Sequence, residues 1–406
     1  MGRVSVGWMF RYGAARFGMG MHDVFFNAVA GFFLASYGLP NVAIGFLANE
    51  RSAIGSLLQP IVGAVSDRLR TPFGRRIPFL VLIIPVIIGF LVLAGRPSIE
   101  MVVAVFVLGP LCMTIVATAY QVLLPDCVEP EQRGITNGIN VLLAFVAGMI
   151  LLLLAFRLWE QQPAVVFGVV AASLTIGFLI TALTVREPPP PTVVEPPASF
   201  HPLSYLKGIL EHREATKYTI SYFFYWFGIG GITPFITRFG HEELNVPENE
   251  TFLLLVSVMV ATLIGAAPAG WLGDRFGKKR VTSWGLVVFA LFIGIGSQLQ
   301  TREQALVIMT LAGLAQAVPS VLGYPLFTEL VPVRRMGELT GLSTMVWSLA
   351  QPLGATALGG LADATGTLRV VLLGGAIALL ISWAILQLVR ETEVEVKAQA
   401  APAVSS

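Results

Sequence analysis

The chain has 406 residues, of which 55% are hydrophobic and only 12% charged, with a formal net charge of +2 and a mean hydropathy of +0.77. So few charges cannot cover the surface of a soluble protein of this size, and so even a balance gives nucleic acid nothing to hold. The two cysteines, Cys112 and Cys127, and the scattered histidines His22, His201, His212 and His241 show no disulfide or metal-ligand spacing, so neither a metal nor another cofactor is expected.

Apolar runs near the ~20 residues that cross a ~30 Å hydrocarbon core recur along the chain. They fall at 15–39, 41–66, 77–95, 100–124, 134–159, 163–185, 217–239, 250–272, 281–299, 304–328, 338–362 and 368–389. Hydrophobicity wraps each run instead of forming one stripe, which separates membrane spans from soluble amphipathic helices. The fold class expected is all-α integral membrane, with about twelve transmembrane helices in two homologous six-helix bundles. The first bundle takes residues 1–186 and the second 217–390. Between them, residues 187–216 form a linker stiffened by Pro188, Pro189, Pro190, Pro191, Pro196, Pro197 and Pro202, with a possible interfacial helix from His201 to Arg213. Residues 391–406 read as a disordered polar tail.

The basic residues set the orientation. Arg3, Arg11, Arg16, Arg133, Arg186, Lys207, Arg213, Lys217, Arg334, Arg335, Arg390 and Lys397 fall on one side with this span assignment, the cytoplasmic side by the positive-inside rule. Both termini are then cytoplasmic and the protein is a multi-pass resident of the cell membrane. Arg157 and Arg238 sit near outer helix ends and are read as snorkelling toward the interface.

Two basic loops repeat. Gly63, Ser66, Asp67, Arg68, Gly74, Arg75 and Arg76 follow the second run, and Gly270, Gly273, Asp274, Arg275, Gly277, Lys278, Lys279 and Arg280 follow the eighth. A second string repeats with them: Tyr120, Leu124, Asp126, Pro130, Arg133, Gly134 and Gly138 against Tyr324, Phe327, Glu329, Pro332, Arg335, Gly337 and Gly341. Gly74, Arg75 and Arg76 against Gly277, Lys278 and Lys279, and the second string, are separated by about 203 residues with small indels, a register that only a duplicated chain would keep.

On these motifs the chain resembles the major facilitator superfamily over nearly its whole length. The string Gln59, Pro60, Ile61, Val62, Gly63, Ser66, Asp67, Arg68, Thr71, Phe73, Gly74, Arg75, Arg76, Pro78, Phe79, preceded by Tyr37, Gly38, Leu39 and Pro40, is similar to its sucrose:proton symporter branch, which is related to the glycoside-pentoside-hexuronide:cation symporters. The resemblance implies a cytoplasmic gate at Asp67, Arg68, Arg75, Arg76, Arg133, Asp274 and Arg275. Gly63 and Gly270 are expected to remove side chains where helices approach closely. The chain departs from that branch in the fourth span, which offers Cys112, Thr114 and Thr118 where the branch carries an embedded acid.

Charges inside the membrane are expensive and usually functional. Asp23, Glu50 and Arg51 fall near mid-depth and form the candidate proton-coupling set, Asp23 preferred because Glu50 has Arg51 next to it; His22 stands beside Asp23. Sodium is the alternative ion, since Asp23 and Asn27, one turn apart, carry oxygen ligands. Candidate solute contacts are the polar and aromatic residues in mid-span: Asn27, Tyr120, Gln121, Asn140, Tyr222, Tyr225, Trp226, Gln316, Trp347 and Gln351. Aromatic faces stack on sugar rings and amides bond hydroxyls, so the set suits a small, neutral, polar solute. The expected activity is proton-coupled symport by alternating access, not an enzymatic reaction. A proton-coupled exporter of drug-like or amphipathic compounds would share the same fold and loops.

Overall fold

A computed structural model describes residues 3–49, 76–187, 212–331 and 336–390, together with Gly55, Val62, Thr71 and Gly74. Glu50, Arg51, Gly63, Asp67, Arg68 and Arg75, and most of the expected second span, the linker and the tail, lie outside the described residues.

The first helix starts well ahead of residue 15. Ser5 accepts a hydrogen bond from the Trp8 amide and caps α1, Val6–Val24, whose early residues Met9, Tyr12, Gly13 and Ala15 are buried. Buried packing holds this polar-looking turn in the helix, which the hydropathy of the run did not show. The helix widens into a π turn at Phe25–Val29 and resumes as α2, Ala30–Ala35, so that Val6–Ala35 is one span of 30 residues. Gly38 turns the chain at φ +73°, and Pro40 leads into α3, Asn41–Leu47.

The remaining helices follow the apolar runs. They are α4 Ile77–Leu80, α5 Ile83–Ala94, α6 Ile99–Cys127, α7 Pro130–Leu158 and α8 Pro163–Thr184. After the linker come α9 Arg213–Ile232, a 3₁₀ turn Thr233–Phe235 and α10 Ile236–Glu242. The break falls at Pro234, which lacks the amide that a continuous helix needs. Then come α11 Glu248–Phe276, α12 Lys278–Gly296, α13 Arg302–Glu329, α14 Met336–Thr365 and α15 Arg369–Gln387. Among the described residues nine helices are long and apolar enough to cross a membrane. α5 shows why such helices need lipid: Ile83, Val86, Phe90 and Leu93 are buried, while Ile84, Ile88 and Leu91 on the opposite side are exposed. Apolar residues on both faces leave no side for water.

The chain divides into two compact units, Met1–Ala198 with Thr233–Leu253, and Ser199–Ile232 with Leu254–Ser406. In the first, α1 packs on α7 and α8, and α5 on α6 and α8; in the second, α9 packs on α14 and α15, and α12 on α13 and α15. These pairings are equivalent, span for span, so the duplication legible in the loops extends to the packing.

Without a hydrophobic drive between helices in lipid, close backbone approach supplies much of the packing. At Gly177 on α8 an added Cβ would lie 2.3 Å from the Ala14 carbonyl oxygen, whereas Gly168 on the same helix has open space around it. Gly177→Val is therefore expected to lose ~3 kcal/mol, the upper end of overpacking, because backbone cannot give way as a side chain can. Gly168→Ala should be close to neutral, and thermal melting of the two purified variants in detergent checks the contrast.

Candidate functional site

The first unit holds an ionic cluster inside its first span. Asp23 lies ~26 Å along the helix from Val6 and ~18 Å from Ala35 at 1.5 Å per residue, well within the span. Arg16 Nη1 donates to Asp23 Oδ2 at 2.9 Å, and His22 Nδ1 stands 3.4 Å from Oδ1. The Arg16 and Asp23 side chains are 32% and 24% exposed, whereas His22 is wholly buried, its ring 4.7 Å from that of Phe26 and 5.9 Å from Phe90. The partner seen for Asp23 is thus Arg16, which the sequence had assigned to the topology-setting basic residues. Seven positions are two turns, so both side chains share one helix face. The π turn begins two residues after Asp23 and carries half-buried Asn27; such turns recur at functional positions because they interrupt the regular helix ladder.

Aromatic clasps occupy equivalent places in the two units. Tyr12 and Tyr120 stack at 4.5 Å, and each hydroxyl donates to the other's backbone carbonyl, at 2.8 and 3.0 Å. The Tyr120 hydroxyl is also 3.4 Å from Asn140 Oδ1. In the second unit the Tyr218 hydroxyl donates to the Gly323 carbonyl at 2.6 Å, Tyr222 to that of Pro319 at 2.5 Å, and Trp347 Nε1 to that of Thr219 at 3.2 Å. Tyr225 meets the Ser320 hydroxyl at 3.1 Å. These groups satisfy polar atoms that lipid cannot. Of the candidate solute contacts, Asn140, Tyr225 and Trp347 are buried in this way, while Asn27, Trp226, Gln316 and Gln351 are half-buried. The structure brings Tyr225 against Trp226 at 5.3 Å. It also seats Gln351 on Gly230, where a Cβ would lie 2.4 Å from the Gln351 Cα.

The basic loops tie helix ends together within each unit. Arg76 is 3% exposed, its Nε donates to Asp126 Oδ2 at 3.2 Å, and its amide donates to Glu187 at 2.8 Å. Arg133 caps α6, donating to the Val128 and Pro125 carbonyls at 3.0 Å each, where a cation also meets the negative end of the helix dipole. In the second unit Lys278 pairs with Glu329, and Lys279 donates to the Val389 carbonyl at 2.6 Å beyond the end of α15. Gly74 and Gly277 both adopt positive φ, at 103° and 90°. The acids Asp126 and Glu329 were visible only as members of the repeated string; the structure makes them the loops' counter-charges. Arg275 lies over its own helix's Trp271 and Phe276 rings, at 5.2 and 5.4 Å. Asp274 is exposed. Gly270 does not mark a close approach, since a Cβ there would find only Val321 at 3.9 Å; that role falls at Gly273, where Leu322 would lie at 2.4 Å.

At the opposite end of the first unit, Thr233–Leu253 closes on α1 to α3. The Thr237 hydroxyl donates to the Ala28 carbonyl at 2.9 Å, and Gly31 makes room for the Pro234 carbonyl. Arg238 does not snorkel: it is 7% exposed, bonded to Glu242 at 2.7 Å and to Asn41 at 2.6 Å. Burial in the Pro234 break provides carboxylate and amide partners that an interfacial helix end would lack. Beside it opens a cavity of about 800 Å³, lined by Phe32, Phe33, Trp159, Phe167, His241 and Glu248 among others, with Trp159 Nε1 donating to Glu248 at 3.1 Å.

Duplicated sets of apolar helices long enough to cross a membrane, with an ionic cluster inside the first span, define a multi-pass integral membrane protein. The chain belongs to the Major Facilitator Superfamily, whose pattern matches residues 12–248 and again 218–405. Among curated proteins it is similar to "Uncharacterized MFS-type transporter YxiO" of Bacillus subtilis (strain 168), 24% identical over 195 residues, 48% of this chain and 45% of that one. It is also similar to "Facilitated trehalose transporter Tret1" of Polypedilum vanderplanki, 28% identical over 151 residues, 34% of this chain and 28% of that one. Both matches span less than half the length of these relatives. Among solved structures it shares the fold of a bacterial homolog of the human lysosomal transporter Spinster, in an inward-facing and occupied conformation. That match has TM-score 0.76 and 16% identity, over 97% of this chain and 98% of that one.

Proposed function

We propose that this protein is a secondary active transporter that works by alternating access and carries a small neutral polar solute, a sugar or a close chemical relative, together with a proton. The observation that carries the reading is the Asp23–Arg16 pair. An ionised group at mid-membrane costs about 2.5 kcal/mol or more, so a partly accessible one inside an otherwise apolar span marks an ion or substrate path. Glu50 and Arg51 belong to the same coupling set in this reading, with sodium as the alternative ion. Asn27, Trp226, Gln316 and Gln351, together with Asn140, Tyr225 and Trp347, are the candidate solute contacts in this reading. The sugar assignment draws on the loop string similar to the sucrose:proton symporters and on the trehalose transporter among the relatives. Gly63, Asp67, Arg68, Arg75, Arg76, Arg133, Asp274 and Arg275 form the cytoplasmic gate in this reading, in a protein of the cell membrane with both termini inside.

The test is proton movement in proteoliposomes on addition of a panel of mono- and disaccharides. Sugar-triggered alkalinisation outside the vesicle is the expected result. Silence with every sugar, with extrusion of a hydrophobic compound under an imposed pH gradient, would replace the sugar symporter by an exporter.

A further inference from the structure

His22 is wholly buried, yet its Nε2 has no hydrogen-bond partner among the described residues. Leaving a buried polar atom unmatched costs about 1–3 kcal/mol, and native proteins hold few such atoms without a use for them. The ring is wedged against Phe26 of the π turn and Phe90 of α5, so packing alone would be as well served by a phenylalanine. Its Nδ1 faces Asp23 Oδ1. An ionised carboxylate only accepts, so Nδ1 carries the ring proton and Nε2 presents a lone pair. Asp23 therefore gives one oxygen to His22 and the other to Arg16, and these three are the charged or titratable groups that the described contacts bring together. From α5 the neighbour is Phe90, and from the π turn Phe26, neither ionisable.

We propose that His22 is the proton carrier of the coupling site, with Asp23 as its counter-charge. This rests on reading the Asp23 cluster as the coupling site. When alternating access opens the His22 ring to water on one side, its Nε2 lone pair takes a proton from hydronium and releases water, forming an N–H bond and an imidazolium. The new charge draws Asp23 toward His22 and loosens its hold on Arg16. On the other side of the membrane Nε2 returns the proton to water, and the Asp23–Arg16 pair re-forms. The π turn directly beyond Asp23 supplies a helix segment that can change register with this exchange of partners.

Two measurements on the full-length protein in lipid test this. In proteoliposomes given the saccharide panel, His22→Gln and His22→Asn should lose sugar-driven proton entry at least tenfold while keeping sugar exchange, which proves them folded. Coupled proton entry at wild-type stoichiometry in both variants, with Asp23→Asn uncoupled, would overturn the role of His22 and leave the coupling site standing. Wild type silent to every sugar would overturn the sugar reading and not the coupling site, and the second measurement then decides the His22 role alone. The second measurement needs no transport: nitrogen NMR of labelled histidine should show one ring passing from the Nδ1–H neutral form to imidazolium as pH falls over the range in which the protein stays folded. That signal should be missing from His22→Gln. A His22 ring that stays neutral across the range would sink the proposal.

Discussion

Asp126→Ala is expected to destabilise the protein by about 3–5 kcal/mol, and its counterpart Glu329→Ala by less than ~1 kcal/mol. The two acids occupy the same place in the duplicated chain, and each meets a basic residue of the loop following the second or eighth span. Their surroundings differ. The Arg76 and Asp126 side chains are 4% and 16% exposed, those of Lys278 and Glu329 27% and 52%. Removing Asp126 takes the carboxylate from a guanidinium that water scarcely reaches, while removing Glu329 leaves a lysine that solvent can hydrate. Asp126→Asn, which keeps an acceptor of similar shape, should recover part of the loss. Thermal melting of the purified variants in detergent reads the difference. Equal shifts for the two alanine variants would mean that the Arg76 pair only orients the chain in the membrane and does not hold the bundle together.

The spans and their duplication were legible because hydrophobicity and motif register are properties of the sequence alone. α6, α7 and α13 lie on the apolar runs expected of them, with ends extended by a few residues where Pro130 and the Thr301 cap start the helix. The cluster at Asp23 was only half legible. An acid in an apolar run is conspicuous, but its partner Arg16 lay in a stretch read as the entry to the membrane. The run 15–39 already held both residues, but Arg16 stood at its inner end and was counted with the topology-setting charges; the start of α1 at Val6 moves it inside the span. Arg238 was misread for a related reason: it looks like a helix end until the Pro234 break turns α10 back over Asn41. The tyrosines were legible as a pattern but not in their use. Tyr120 and Tyr222 suggest sugar-stacking surfaces, yet their hydroxyls close on carbonyls of a neighbouring helix. In lipid every such hydroxyl needs a protein acceptor, and the nearest one is backbone.

Asp23→Asn is expected to abolish accumulation without abolishing exchange. One proton moving through a membrane potential of 100 mV supplies ~2.3 kcal/mol, enough to hold a neutral solute at roughly fifty times its outside concentration. The asparagine keeps the size of Asp23 and an acceptor for Arg16, so the helix should still form and the two halves should still alternate. What it loses is the negative charge that Arg16 and His22 share. Without that charge no protonation need accompany a transport cycle, and the accumulation ratio should fall from ~50 to ~1, while counterflow of labelled sugar continues near the wild-type rate. Asp23→Glu, which keeps the charge at a changed reach, should retain part of the coupling. Loss of accumulation together with counterflow would assign Asp23 to the fold or to solute binding. Accumulation at the wild-type level in Asp23→Asn would move the coupling site away from the first span, leaving Glu50 as the acid to replace next.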